Sequence, residues 1–109
     1  MSRFFLGVAT AAAMLASGAV QAADLAAAKK KVSEVCQACH GMDGNSQVPD
    51  YPKLAGQNQD YLAKALRDYK SGARKDPTMN GFAGTLTTQD IDNLAAYFST
   101  QPAVLQSRM

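Results

Sequence analysis

Three features of the 109-residue chain predict an all-α fold. Three stretches carry apolar residues at helical spacing behind capping residues, Gly- and Pro-rich segments connect them, and no stretch shows the alternation of a firm strand.

The chain opens with Arg3, then an uncharged apolar stretch from Phe4 to Leu15, then small residues leading to Val20-Gln21-Ala22. This is the pattern of a secretory signal, residues 1–22, cleaved after Ala22. The alternative is a retained anchor, since residues 4 to 23 carry no charge and about 20 apolar residues can span a bilayer. Residues 23–109 then form one small domain whose own core is limited. No repeat, low-complexity tract or second boundary interrupts it.

Asp24 can cap a helix from about Leu25 to Val35, through a run of alanines and Lys29 to Lys31, with Ala28, Val32 and Val35 as its buried stripe. The lysines form a solvated face or a docking patch. Gly41 to Asn58 is a loop, punctuated by Gly41, Gly44, Pro49, Pro52 and Gly56. A loop this long in so small a domain usually has a task. A second helix runs from Asn58 or Gln59 to about Ser71, with Leu62, Ala65, Leu66 and Tyr69 as a core stripe without direct chemistry, and Gly72 stops it. Residues 73–86 read as irregular because of Pro77, Gly81 and Gly84. Thr87-Thr88-Gln89-Asp90 is a variant capping box opening a last helix to about Ser99, with Ile91, Leu94, Ala95 and Phe98 as its apolar face and Pro102 beyond it.

Chemistry concentrates in Cys36-Gln37-Ala38-Cys39-His40. A CxxC pair followed at once by histidine is the signature of c-type haem attachment. Two thiols about one helical turn apart can each add to a haem vinyl group, and the adjacent imidazole then serves as axial ligand. Other readings fit less well. Structural zinc takes four protein ligands and catalytic zinc three, whereas the chain has two Cys and one His in all. A thioredoxin-like CxxC needs a βαβ context, which is absent here. A Cys36–Cys39 disulfide would leave His40 without a role. A buried haem would also supply the apolar mass that a domain of this size lacks.

The sixth iron position separates catalysis from electron transfer. No second histidine exists, so bis-histidine ligation within the chain is excluded. Methionine comes next, a soft thioether that favours ferrous iron and raises the potential. Met1 and Met14 leave with the signal, Met42 lies two residues from His40, and Met109 ends the chain. Met79 remains, unless it merely fills a core gap.

Cys36 to His40, Tyr51-Pro52-Lys53-Leu54-Ala55-Gly56-Gln57, Arg74-Lys75-Asp76-Pro77-Thr78-Met79, Leu86-Thr87 and Asp90-Ile91 with Leu94-Ala95-Ala96-Tyr97 together resemble the small bacterial class I cytochromes c. The likeness is to the single-haem, cytochrome c553-like type and to one half of the di-haem periplasmic cytochromes. It covers nearly all of residues 23–109 and implies three main helices wrapped around one covalently bound haem c. Cys36 and Cys39 would then be the thioether points, His40 the proximal ligand and Met79 the distal one. Pro52 would accept the Nδ1 proton of His40 through its carbonyl, a contact that fixes the ring and raises its basicity. Leu54 and Phe82 would line the pocket, and the first and last helices would cross through Val32, Val35, Leu94 and Phe98. Thr78 and Phe82 stand where relatives often carry methionine.

The resemblance implies a periplasmic one-electron carrier, not catalytic by itself, that meets redox proteins as donor and acceptor. It would act as a monomer or as the haem subunit of a larger oxidoreductase complex, with membrane contact only if the signal is retained. A haem enzyme or sensor with a labile sixth ligand is the remaining alternative; no distal His or Arg pair is evident to support it. Ten Lys or Arg against nine Asp or Glu, once Arg3 leaves with the signal, is too even a balance for a nucleic-acid partner.

Overall fold

In the computed structural model, residues 22–105 are described. The signal segment expected over residues 1–22 therefore lies almost wholly outside the described residues. Helix α1 spans Leu25–Lys31, α2 Gln37–His40, α3 Gln59–Ser71, α4 Pro77–Gly84 and α5 Thr88–Ser99, and no strand occurs among the described residues.

Asp24 caps α1 by accepting from the Ala27 amide at 2.9 Å. Its own amide donates to Asn93 Oδ1, also at 2.9 Å, which ties the start of α1 to the middle of α5. Around this crossing lie Ala28, Val32, Ile91, Leu94, Ala95 and Phe98, all buried in one cluster. Burying a side chain of Leu, Ile or Phe size stabilises by about 1.5–3 kcal/mol, so the crossing is the main anchor of the domain. Helix α3 packs on both α4 and α5.

The helical run does not end at Val35 as the sequence suggested. A π-helical turn, Val32–Cys36, follows α1 directly, with the Gln37 amide donating to the Val32 carbonyl, and α2 carries the helix on to His40. Gly41 then breaks it at φ 80°. The π turn inserts one residue, so Val32 stays in the α1–α5 contact while Val35 becomes half-buried beside the cavity described below.

The segment 73–86 also departs from expectation, because residues 77–84 form α4, a helix additional to the three anticipated. Pro77 sits in its first turn, where the missing N–H would have had no partner and the fixed φ suits the helix. Asp76 caps it, accepting from the Met79 amide at 3.0 Å. Gly81 and Gly84 keep ordinary negative φ and continue the helix. The full capping box at Thr87 and Asp90 forms as the sequence indicates.

A side-chain hydrogen bond joins α5 to the segment after His40. Tyr97, 8% exposed, donates its hydroxyl to the Met42 carbonyl at 2.6 Å. Tyr97→Phe is expected to cost about 1–2 kcal/mol in urea denaturation at neutral pH, since it leaves that carbonyl without its partner. Burial raises the Tyr97 phenol above its ordinary value of 10.0. A folded-state value above the unfolded one stabilises below about pH 10, and that contribution is lost as pH rises through the folded value. The gap between wild type and variant should therefore narrow above about pH 10; a gap constant with pH would exclude the coupling.

Candidate haem site

A cavity of about 290 Å³ opens between the α2 segment, the 41–58 loop, α3 and α4. Cys36, Cys39, His40 and Met79 all line it. Both cysteines are free and half-buried, and among the described residues no group of three or more His, Cys, Asp or Glu side chains converges as a metal site.

His40 is 7% exposed, and its Nδ1 lies 2.9 Å from the Pro52 carbonyl oxygen. A carbonyl can only accept, so Nδ1 carries the proton and Nε2 keeps a free lone pair for a metal. The ring is met edge-on by Tyr51, with centroids 6.3 Å apart. Burial pushes the Cys36 thiol up to about 11 against the opposing charge of Lys31. Before haem attachment it is therefore the protonated thiol at neutral pH, slow in disulfide exchange. Hydrogen bonding with the Cys39 thiol is the main cause that raises the Tyr51 phenol.

The loop that presents Pro52 is closed by Gly44, whose carbonyl accepts from the Leu54 and Ala55 amides at 2.8 and 3.2 Å. It is held from outside as well. Buried Asn45 donates to the Pro102 carbonyl at 2.9 Å and accepts from the Val104 amide at 2.8 Å. Lys53 donates to the Val104 carbonyl at 2.9 Å. The segment after α5 is thus stapled across the loop that orients the histidine. Asn45 carries no local signal in the sequence, since its partners lie 57 and 59 residues away.

Leu54 and Phe82 are also in the cavity wall, Phe82 at 45% exposure. So are Leu62, Ala65, Leu66 and Tyr69 of α3, read from sequence as core without chemistry. Leu62 is buried in the core cluster with Leu66 and Tyr69 packed against it, as expected, and the same stripe also faces the cavity: helical spacing marks an apolar face and does not say whether protein or cofactor covers it. Arg74 is in the wall too, but its guanidinium donates to the Tyr61 hydroxyl at 3.2 Å and lies 4.8 Å from the centroid of the Tyr69 ring.

Two thiols spaced as CxxC, an imidazole with its Nε2 lone pair free and a thioether, set in apolar walls, fit an iron porphyrin and fit a hydrated metal ion poorly. The fold and the donor set define a c-type haem protein. The family model for cytochrome c matches residues 25–102, and the chain belongs to that family, with haem c attached through Cys36 and Cys39. It is 47% identical over 85 residues to cytochrome c4 of Pseudomonas aeruginosa, covering 78% of this chain and 42% of that one. It is 41% identical over 83 residues to cytochrome c-554(548) of Halomonas halodenitrificans, covering 73% of this chain and 99% of the relative. The crystal structure of reduced recombinant cytochrome c4 from Pseudomonas stutzeri superposes with a TM-score of 0.71 at 45% identity, over 77% of this chain and 48% of that one. The chain thus spans about half the length of the cytochrome c4 relatives and has the class I cytochrome c fold of one of their halves.

Proposed function

We propose that residues 23–109 form a single-haem, periplasmic one-electron carrier with His40 and Met79 as axial ligands. The observation that carries this reading is the convergence of Cys36, Cys39, His40 and Met79 on one apolar cavity, with His40 held by Pro52. When bound, the haem supplies reversible ferric/ferrous exchange of one electron.

The chain's residues do the rest. Pro52 fixes the tautomer and orientation of His40 and raises its basicity. The Met79 thioether favours the ferrous state, and axial identity across haem proteins moves the potential over about 0.8 V. Leu54, Phe82 and the α3 stripe keep water from the centre. Two protein ligands leave no open position for a substrate, so the chain is not catalytic by itself. The enzyme or sensor alternative gains little here, because Arg74 is engaged by Tyr61 and Tyr69 and the chain has no second histidine.

Donor and acceptor are redox proteins, met through a transient interface below about 1,200 Å² in total. The chain works as a free monomer or as the haem subunit of a larger complex; size exclusion of protein from the native host separates the two. No helix among the described residues is long and apolar enough to cross a membrane.

Absorption spectra of protein purified from the periplasmic fraction test the ligation. A low-spin ferric spectrum with the sulfur-to-iron charge-transfer band in the far red supports His40/Met79, and a high-spin spectrum overturns it. For the attachment, Cys36→Ala with Cys39→Ala is expected to release all haem into acid-acetone; haem that resists extraction from this variant contradicts thioether bonding at these residues.

A further inference from the structure

Asn80 follows Met79 in α4, is half-buried, and was given no role by the sequence. Its amide nitrogen donates to the Tyr69 carbonyl at 2.7 Å and to the Arg74 carbonyl at 2.8 Å. Its Oδ1 accepts from the Asp76 amide at 2.9 Å. Both amide protons and one oxygen lone pair are thus used on main-chain groups of three successive places: the last turn of α3, the α3–α4 connection, and the cap of α4. Asp76 then accepts from the Met79 amide at 3.0 Å. One side chain therefore closes the loop that enters α4, and the residue it aligns is the cap that fixes the Met79 backbone.

We infer that Asn80 is the positioning residue that holds the Met79 thioether against displacement. The inference rests on the proposed Met79 ligation and says how that ligation is kept. Helix α4 has only eight residues and packs chiefly on α3; its far end is held by Ala83, buried in the core, and by Lys70 donating to the Gly84 carbonyl, so the first turn, where Met79 stands, depends on the cap and its connections. A short helix of this kind is marginal by itself and depends on its tertiary anchors. Without Asn80 the connection from Tyr69 to Asp76 loses three cross-links, the cap loses its alignment, and the thioether can swing away from the metal while His40 and the α1–α5 crossing stay as they are. The residue touches no donor atom of the site; it acts through Asp76 and the main chain.

The test measures imidazole binding to the ferric holoprotein by optical titration, together with the far-red sulfur-to-iron band, in wild type, Asn80→Ala and Asp24→Ala. Asp24→Ala removes a helix cap at α1, remote in the chain from Met79, and controls for general loosening. Asn80→Ala is expected to bind imidazole at least tenfold more tightly than wild type and to show a weakened band, with Asp24→Ala within twofold of wild type. Asn80→Gln, which keeps an uncharged amide displaced by one methylene, is expected to fall between, and it carries the measurement if Asn80→Ala yields no folded holoprotein. A wild type without the far-red band overturns the Met79 ligation and this inference with it. A wild type with the band, and Asn80 variants that bind imidazole like wild type, overturn the role of Asn80 and leave Met79 in place. An equal rise in Asp24→Ala overturns it too, because the effect would then belong to overall stability.

Discussion

Met79→Ala is expected to retain covalent haem through acid-acetone extraction, to lose the far-red sulfur-to-iron band, and to lower the reduction potential by on the order of 0.2 V, about a quarter of the range open to axial ligands. The direction follows from chemistry. A thioether stabilises the softer ferrous ion, and water or hydroxide in its place favours the ferric one. Met79 is the methionine placed to act, since it lines the cavity from the first turn of α4 with its backbone held by Asp76. Acid-acetone extraction reads the first outcome and potentiometric titration with optical detection the other two, and a variant with an unchanged band removes Met79 from the iron.

The largest stability effect is expected at Gly44. This residue has φ 79°, which side-chain-bearing residues adopt at a cost of roughly 1–3 kcal/mol. A Cβ there would also meet the Ala55 amide nitrogen at 2.8 Å and Phe98 Cδ1 at 2.8 Å, closer than real Cβ contacts come. One neighbour is backbone and the other a ring fixed in the core, so neither yields cheaply, and overpacking of this kind adds about 1–3 kcal/mol. Gly44→Ala should therefore lose about 2–6 kcal/mol in urea denaturation. Gly72→Ala is the comparison. Its φ is 85° but nothing lies within 4 Å of its Cβ position, so it carries the backbone cost alone. Equal losses at the two glycines would show that the close approach of the 44–55 loop to Phe98 is not what makes Gly44 necessary.

Legibility in the sequence followed the range of the interactions. The caps at Asp24, Asn58 and Thr87 and the stop at Gly72 act within a few residues, and each helix they bound was found. Helix α4 was missed because Asp-Pro serves equally as a turn and as a cap with its first helical residue, and only the contact with α3 decides between them. The attachment segment stood out by its CxxCH spacing, and the place of Met79 at the same cavity followed from a short choice of methionines. Asn45 and Asn80 were not: an asparagine in a Gly-rich segment looks like turn chemistry, and their importance lies in carbonyls that the fold brings to them. The direction of the α3 stripe was hidden for the same reason, since an apolar face looks alike toward protein or porphyrin.

The π turn at Val32–Cys36 has a further consequence. An α-helix advances about 100° per residue, so one inserted residue turns everything after it by that angle relative to α1. The face of α1 that meets α5 and the face of α2 that offers His40 can therefore be set independently, although they belong to one unbroken rod. Phase, and not only side-chain identity, is thus a heritable property of the site. A one-residue deletion between Val32 and Cys36 would restore regular helix and keep every ligand in the chain, yet send the thiols and the imidazole off in the wrong direction. The motif is functional only when read together with the count of residues that separates it from the α1–α5 crossing.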